Sequence, residues 1–303
     1  MIFQFERDKD DVYTAEDSAI DSLTPEEVEH WKYERWSTTS ALEGKSAGDR
    51  PNIVAEGDSW FDYMPGIDIL DHLVNDGYGI AKLAKAGDSL ENMVFGTAYN
   101  RNFSRKPNPL DQTIALLKKG ARIFLFSGGG NDVAGSELEG YLNHKDSGTG
   151  TPLRTAYVDH VFGVVVKATY MHLARRVRAE VGHPVHIITH GYGWAIPDGR
   201  AVINLPWGWK FIGPWLRPAL TKKNYVERQQ QRALVKELVN RFNSTVGAIA
   251  SDPEFRDWFH YIDLRTLIDD RWWVNELHLR SSAYRKVADK FKSVINSVVG
   301  TAA

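Results

Sequence analysis

Four short segments carry side chains that acyl transfer could use: Gly57-Asp58-Ser59-Trp60-Phe61, Ala86-Gly87-Asp88-Ser89, Ser127-Gly128-Gly129-Gly130-Asn131-Asp132 and Asn275-Glu276-Leu277-His278. A serine hydroxyl is a poor nucleophile until a base takes its proton. Histidine takes protons near neutral pH because its pKa lies close by. The oxygen that becomes negative needs hydrogen-bond donors aimed at it. No segment is diagnostic alone, so their placement in the fold decides.

The pattern from Pro51 onward is strands alternating with amphipathic helices. Strands are predicted at Asn52–Ala55, Ile80–Ala86, Arg122–Phe126, Val185–Thr189 and His260–Leu264. Helices are predicted at Ile67–Asn75, from Asp88 or Ser89, and at Pro109–Lys119, Thr155–Val181, Asn224–Ile249 and Ser281–Val298. Such alternation implies parallel pairing with helices on both faces. The expected fold is α/β, a flavodoxin-like three-layer α/β/α arrangement around a five-stranded parallel sheet. In that architecture working groups gather beyond the carboxyl ends of the strands. Three of the four segments follow directly on predicted strands.

Together these segments resemble the four blocks of the SGNH, or GDSL-type, hydrolases. Gly57-Asp58-Ser59 is similar to the nucleophile block, Gly87 to the glycine block, Gly129-Gly130-Asn131-Asp132 to G-x-N-D and His278 to the histidine block. They occur in family order between about Asn52 and Val298. The resemblance implies Ser59 as nucleophile and His278 as general base. It also implies an oxyanion hole from the backbone N–H groups of Ser59 and Gly87 and the Asn131 amide. One position departs from the pattern: the family's Asp three residues before the histidine is Asn275 here. Asn275 is the first choice to orient His278, with Glu276, Asp269 and Asp270 as alternatives. In the serine proteases the corresponding Asp→Asn change costs about 10⁴ in turnover through the wrong imidazole tautomer. The implied reaction is hydrolysis of a carboxylic ester through a Ser59 acyl-enzyme, without metal or cofactor. Rivals are an acyltransferase using the same site and a non-catalytic ligand-binding protein. The G-x-S-x-G elbow is absent, because Phe61 takes the second glycine position.

Residues 1–50 read as an extension with one helix starting near Thr24-Pro25-Glu26-Glu27, ahead of a hydrolase domain over 51–303. A Trp-, Pro- and Gly-rich insertion at about 192–220 contains Trp194, Trp207, Trp209 and Trp215, and Gly135–Thr155 reads as a surface loop. Trp60, His190 and Trp194 are the expected pocket residues. His183, His186 and His190 invite a metal reading, but on a strand only His186 and His190 share a face, and a structural role is expected.

Of the 303 residues, 43% are hydrophobic and 25% charged, enough for a sizeable core. A net charge of -2 favours neither nucleic acid nor an anionic membrane as partner. The absence of cysteine excludes disulfides, thiolate metal sites and a cysteine nucleophile. The N-terminus turns acidic at Glu6, unlike a secretory signal, and no stretch has membrane-span length. The expected location is the cytoplasm and the expected partner a small-molecule or glycan ester. Oligomeric state is not readable.

Overall fold

The computed structural model describes residues 53–63, 66–204, 210–211 and 213–300. The extension 1–50, Trp207 and Trp209 lie outside them.

Five strands make the central sheet: β1 (Ile53–Gly57), β2 (Ile80–Lys82), β3 (Ile123–Ser127), β4 (His186–His190) and β7 (Phe259–Ile262). Their order is β2-β1-β3-β4-β7, and every neighbouring pair is parallel. β1 and β3 are buried along their whole length, as expected of strands covered on both faces. Helices α1 (Ile69–Asn75) and α9 (Ser281–Gly300) pack together on one face. The other carries α2 (Leu90–Phe95), α3 (Pro109–Leu117), α6 (Lys167–Glu180) and α8 (Arg228–Ser251). The order reverses between β1 and β3, which opens a crevice at their carboxyl ends. Ser59 lies just beyond one of these ends and Asn131 beyond the other.

Local chemistry sets the element boundaries. Asp68 and Asp71 form a capping box at α1, Ser89 caps α2, and Asn108 caps α3 ahead of Pro109. The long helix expected from Thr155 is α5 (Thr155–His160), a π-helical turn over Val161–Val166, and α6. The helix expected from Asn224 starts only at Arg228, because Asn224 has φ 64°, outside the right-handed helical region. The loop expected over Gly135–Thr155 contains α4 (Ser136–Tyr141), whose Leu138 and Tyr141 are buried. The insertion carries a small antiparallel pair, β5 (Ile203–Asn204) with β6 (Lys210–Phe211), and then α7 (Arg217–Lys222). No helix among the described residues is long and apolar enough to cross a membrane.

Gly57 closes β1 where its neighbour β3 leaves no room. A Cβ there would stand 2.8 Å from both the Cβ and the carbonyl oxygen of Ser127. Gly57→Ala is expected to destabilise the protein by about 1–3 kcal/mol, read as a lower urea midpoint at unchanged m-value.

Candidate active site

The chain turns sharply after β1. Asp58 N–H donates to the Ser127 carbonyl at 2.9 Å, and Phe61 N–H reaches back to the Asp58 carbonyl at 3.0 Å. Ser59 sits in the bend. From the C-terminal side, the loop between the 3₁₀ turn Asp270–Trp272 and α9 brings in His278. Its Nε2 lies 2.7 Å from Ser59 Oγ, and its Nδ1 lies 2.9 Å from Asn275 Oδ1.

The orientation of the Asn275 amide is fixed by the backbone. Oδ1 also accepts the N–H groups of Leu277 and His278, both at 3.0 Å, and Nδ2 faces the Tyr63 hydroxyl at 3.2 Å. An amide flip would point its NH₂ at two backbone donors. The oxygen therefore faces the ring, His278 Nδ1 carries the hydrogen, and Nε2 presents its lone pair to the Ser59 hydroxyl. Tyr63 also stacks on the imidazole at 4.3 Å between centroids, and Trp215 meets it edge-on at 5.8 Å. His278 is 4% exposed, and burial lowers its pKa to about 3.

The alternative carboxylates point elsewhere. Asp269 pairs with Arg271 at 2.9 Å, and Asp270 pairs with Arg232. Glu276 is fully buried and accepts the backbone N–H groups of Gly199, Trp215, Leu216 and Arg217 at 2.6–3.0 Å. Burial pushes this carboxyl up against four donors that favour its charged form. The residue beside Asn275 thus ties the insertion to the histidine loop.

Gly87 has φ 80°, and its turn is closed by Asp88 N–H on the Lys85 carbonyl at 3.2 Å. Asn131 Nδ2 donates to the Asp88 carbonyl at 2.8 Å, which joins the third segment to the second. One amide hydrogen of Asn131 is left over. The N–H groups of Ser59 and Gly87 meet no acceptor among the described residues. Asp132 accepts Leu90 N–H at 2.9 Å, holds the start of α2, and is pushed up to about 6 by burial.

Beneath the bend lies a buried polar network. Asp58 accepts Trp60 N–H at 3.0 Å and the Tyr192 hydroxyl at 2.5 Å, and lies 2.7 Å from Ser127 Oγ. His190 Nε2 lies 2.9 Å from the same Oγ, while its Nδ1 must donate to the Gly191 carbonyl at 2.7 Å. The two contacts through Ser127 need two hydrogens, and its hydroxyl brings one. Asp58 and His190 therefore share one further proton and carry no net charge as a pair. Burial pushes the Asp58 carboxyl up and the His190 imidazole down to about 4, both toward the uncharged forms.

Trp60 spans the network and the loop. It stacks on His190 at 5.1 Å, and its indole N–H donates to the Leu277 carbonyl at 3.0 Å, immediately before His278. An apolar cavity of about 60 Å³ opens at Ser59, Trp60 and Asn131, and α8 lines much of it. Two expected pocket residues do not line this cavity. His190 is wholly buried under Trp60, and Trp194 bonds Asn240 at 2.9 Å beneath Lys236 on the outer flank of α8. Reasoning from sequence missed Tyr63, Tyr192 and Leu216. Tyr192 had one usable signal, its position two residues past the end of β4. His183 bonds the Leu117 carbonyl and His186 meets His260. No group of three or more potential metal ligands occurs among the described residues.

No family model and no curated protein matches the sequence. Solved structures that align with it include an extracellular lipase from Streptomyces rimosus, at 12% identity over 71% of this chain and 80% of that one, TM-score 0.42. A family two carbohydrate esterase from Clostridium thermocellum aligns at 12% identity over 82% and 64% of the chains, TM-score 0.39. A putative SGNH hydrolase from Slackia heliotrinireducens aligns at 11% identity over 78% and 94%, TM-score 0.37.

The Tyr192 hydroxyl joins Asp58 to the glycine loop, because it also accepts Gly130 N–H at 3.0 Å. Tyr192→Phe leaves the buried Asp58 carboxyl and the half-buried Gly130 N–H without it. The expected loss is about 1–3 kcal/mol of stability, measured by denaturant titration.

Proposed function

We propose that the protein is a serine hydrolase that cleaves carboxylic esters. Ser59 Oγ attacks the ester carbonyl while His278 Nε2 takes its proton. The collapsing tetrahedral intermediate expels the alcohol, which receives that proton from Nε2. Water, deprotonated by the same nitrogen, then releases the acid from the acyl-enzyme. The N–H groups of Ser59 and Gly87 and the free Asn131 amide hydrogen are the donors for the oxyanion. Asn275 holds His278 in the tautomer this sequence requires. The observation that carries the reading is the relay Asn275 Oδ1, His278, Ser59 Oγ, with contacts of 2.9 and 2.7 Å. A binding protein has no need of that alignment.

Acyl transfer to an alcohol is the second reading. Trp215 against a nearly buried His278 favours it, since it limits water at the base. Added butanol would then yield butyl ester in place of free acid.

The test is p-nitrophenyl ester hydrolysis together with fluorophosphonate labelling. Wild type is expected to turn over and label. Ser59→Ala is expected to do neither, and His278→Ala to lose at least about 10³ in kcat/KM. A wild type that neither turns over nor labels would contradict the proposal.

The pH profile tests the base. His278 must be neutral to accept a proton, so activity falls as pH drops through its pKa. With that pKa lowered by burial to about 3, kcat/KM is expected to stay level from neutral pH to below pH 5. Asn275→Asp adds an opposite charge on Nδ1, favours the imidazolium and should move the acid limb up by about one to three pH units. A wild-type limb near pH 6.5 would contradict the burial-lowered pKa of His278.

A further inference from the structure

We infer that the cavity beside Ser59 selects esters whose acyl group is a short aliphatic chain of about four to six carbons. The inference rests on the hydrolase reading for its reaction and on the cavity for its specificity. The lining includes Ala134, Leu138, Val235, Leu238, Val239 and Phe242. None of these side chains carries a polar atom. Apart from the Ser59 and Asn131 donors that the proposed reaction uses, Asp58 and Tyr192 at the cavity bond each other, and Gly130 N–H bonds Tyr192. A sugar hydroxyl or a charged group placed there would lose its water without a new partner. A hydrocarbon chain loses nothing and gains burial.

Size follows from the free space. A cavity of about 60 Å³, at roughly 10–15 Å³ for each water-sized group, holds about four to six such groups. Acetyl leaves most of it empty and an octanoyl chain overfills it. Phe242 packs against the glycine loop that leads to Asn131, since a Cβ on Gly129 would meet its ring at 2.4 Å. Leu238 and Val235 lie one and two turns earlier on α8 and so line successively more remote parts of the chain's path. Leu238 is therefore placed to set the length limit.

Acyl length is varied in p-nitrophenyl acetate, butyrate, hexanoate, octanoate and decanoate, and alcohol length in a matched series of alkyl acetates. The expected kcat/KM rises about fourfold per added methylene from acetate, peaks at butyrate to hexanoate and falls beyond. Alcohol length should have little effect. Leu238→Phe should move the optimum toward acetate and Leu238→Ala beyond hexanoate. Val239→Phe, at a half-buried position, is the second shortening variant if Leu238→Phe does not fold.

A flat acyl series with turnover that still depends on Ser59 overturns the pocket inference and leaves the hydrolase standing. An optimum in the alcohol series instead overturns the acyl assignment. If no ester is turned over, the hydrolase reading fails, and calorimetric titration of Ser59→Ala with two- to ten-carbon n-alkanols decides the pocket. Binding that peaks at four to six carbons and is lost in Leu238→Phe supports it, and absence of binding overturns it.

Discussion

The site depends on a single amide oxygen. Asn275 Oδ1 accepts three N–H groups, two from its own loop and one from the His278 ring. The two backbone donors settle which end of the amide faces the ring, and the amide then settles the tautomer. This answers the objection that an asparagine raises in a serine-histidine site. Where an amide can turn its NH₂ toward the imidazole, the wrong nitrogen is protonated. Here that turn would strand two backbone hydrogens in a position that is 1% exposed.

A neutral orienter also suits the burial. His278 and Asn275 lie in the interior, and a carboxylate in place of the amide would lose its hydration there, a loss that the neutral amide avoids. The acidic residue of this segment stands one place along, at Glu276, and its charge is met by four amides of the insertion. Below the serine the same logic recurs: Asp58 and His190 are buried as a pair that shares one proton. The cost falls on the transition state, where an amide stabilises an imidazolium less than a carboxylate does. In the proposed reaction Asn275 secures geometry and tautomer, while the imidazolium goes without a carboxylate partner.

The α/β alternation was legible because each strand and helix carries its own periodicity, and the five-stranded parallel sheet follows from it. The short segments were legible because the sheet's topology gathers strand ends. Less visible was whatever depends on distant packing. Nothing local reveals that the Trp60 indole reaches Leu277, or that Tyr192 bridges Asp58 and Gly130. Trp194 looked like a pocket residue because of its neighbours in sequence, yet it turns to Asn240 on α8. The start of α8 was misplaced because the periodicity of its apolar face says nothing about φ at Asn224. Part of the cavity lining comes from α8, whose apolar spacing reads equally well as plain core.

The protonation of His278 is the most direct measure of the account. Long-range ¹H–¹⁵N correlation of the imidazole at pH 7 should find hydrogen on Nδ1 and a bare Nε2. Cooling the sample should reveal one slowly exchanging ring N–H, and the ring should stay neutral well below pH 6. A ring protonated on Nε2 alone, or an imidazolium at pH 7, would contradict the account, because neither form can take a proton from Ser59.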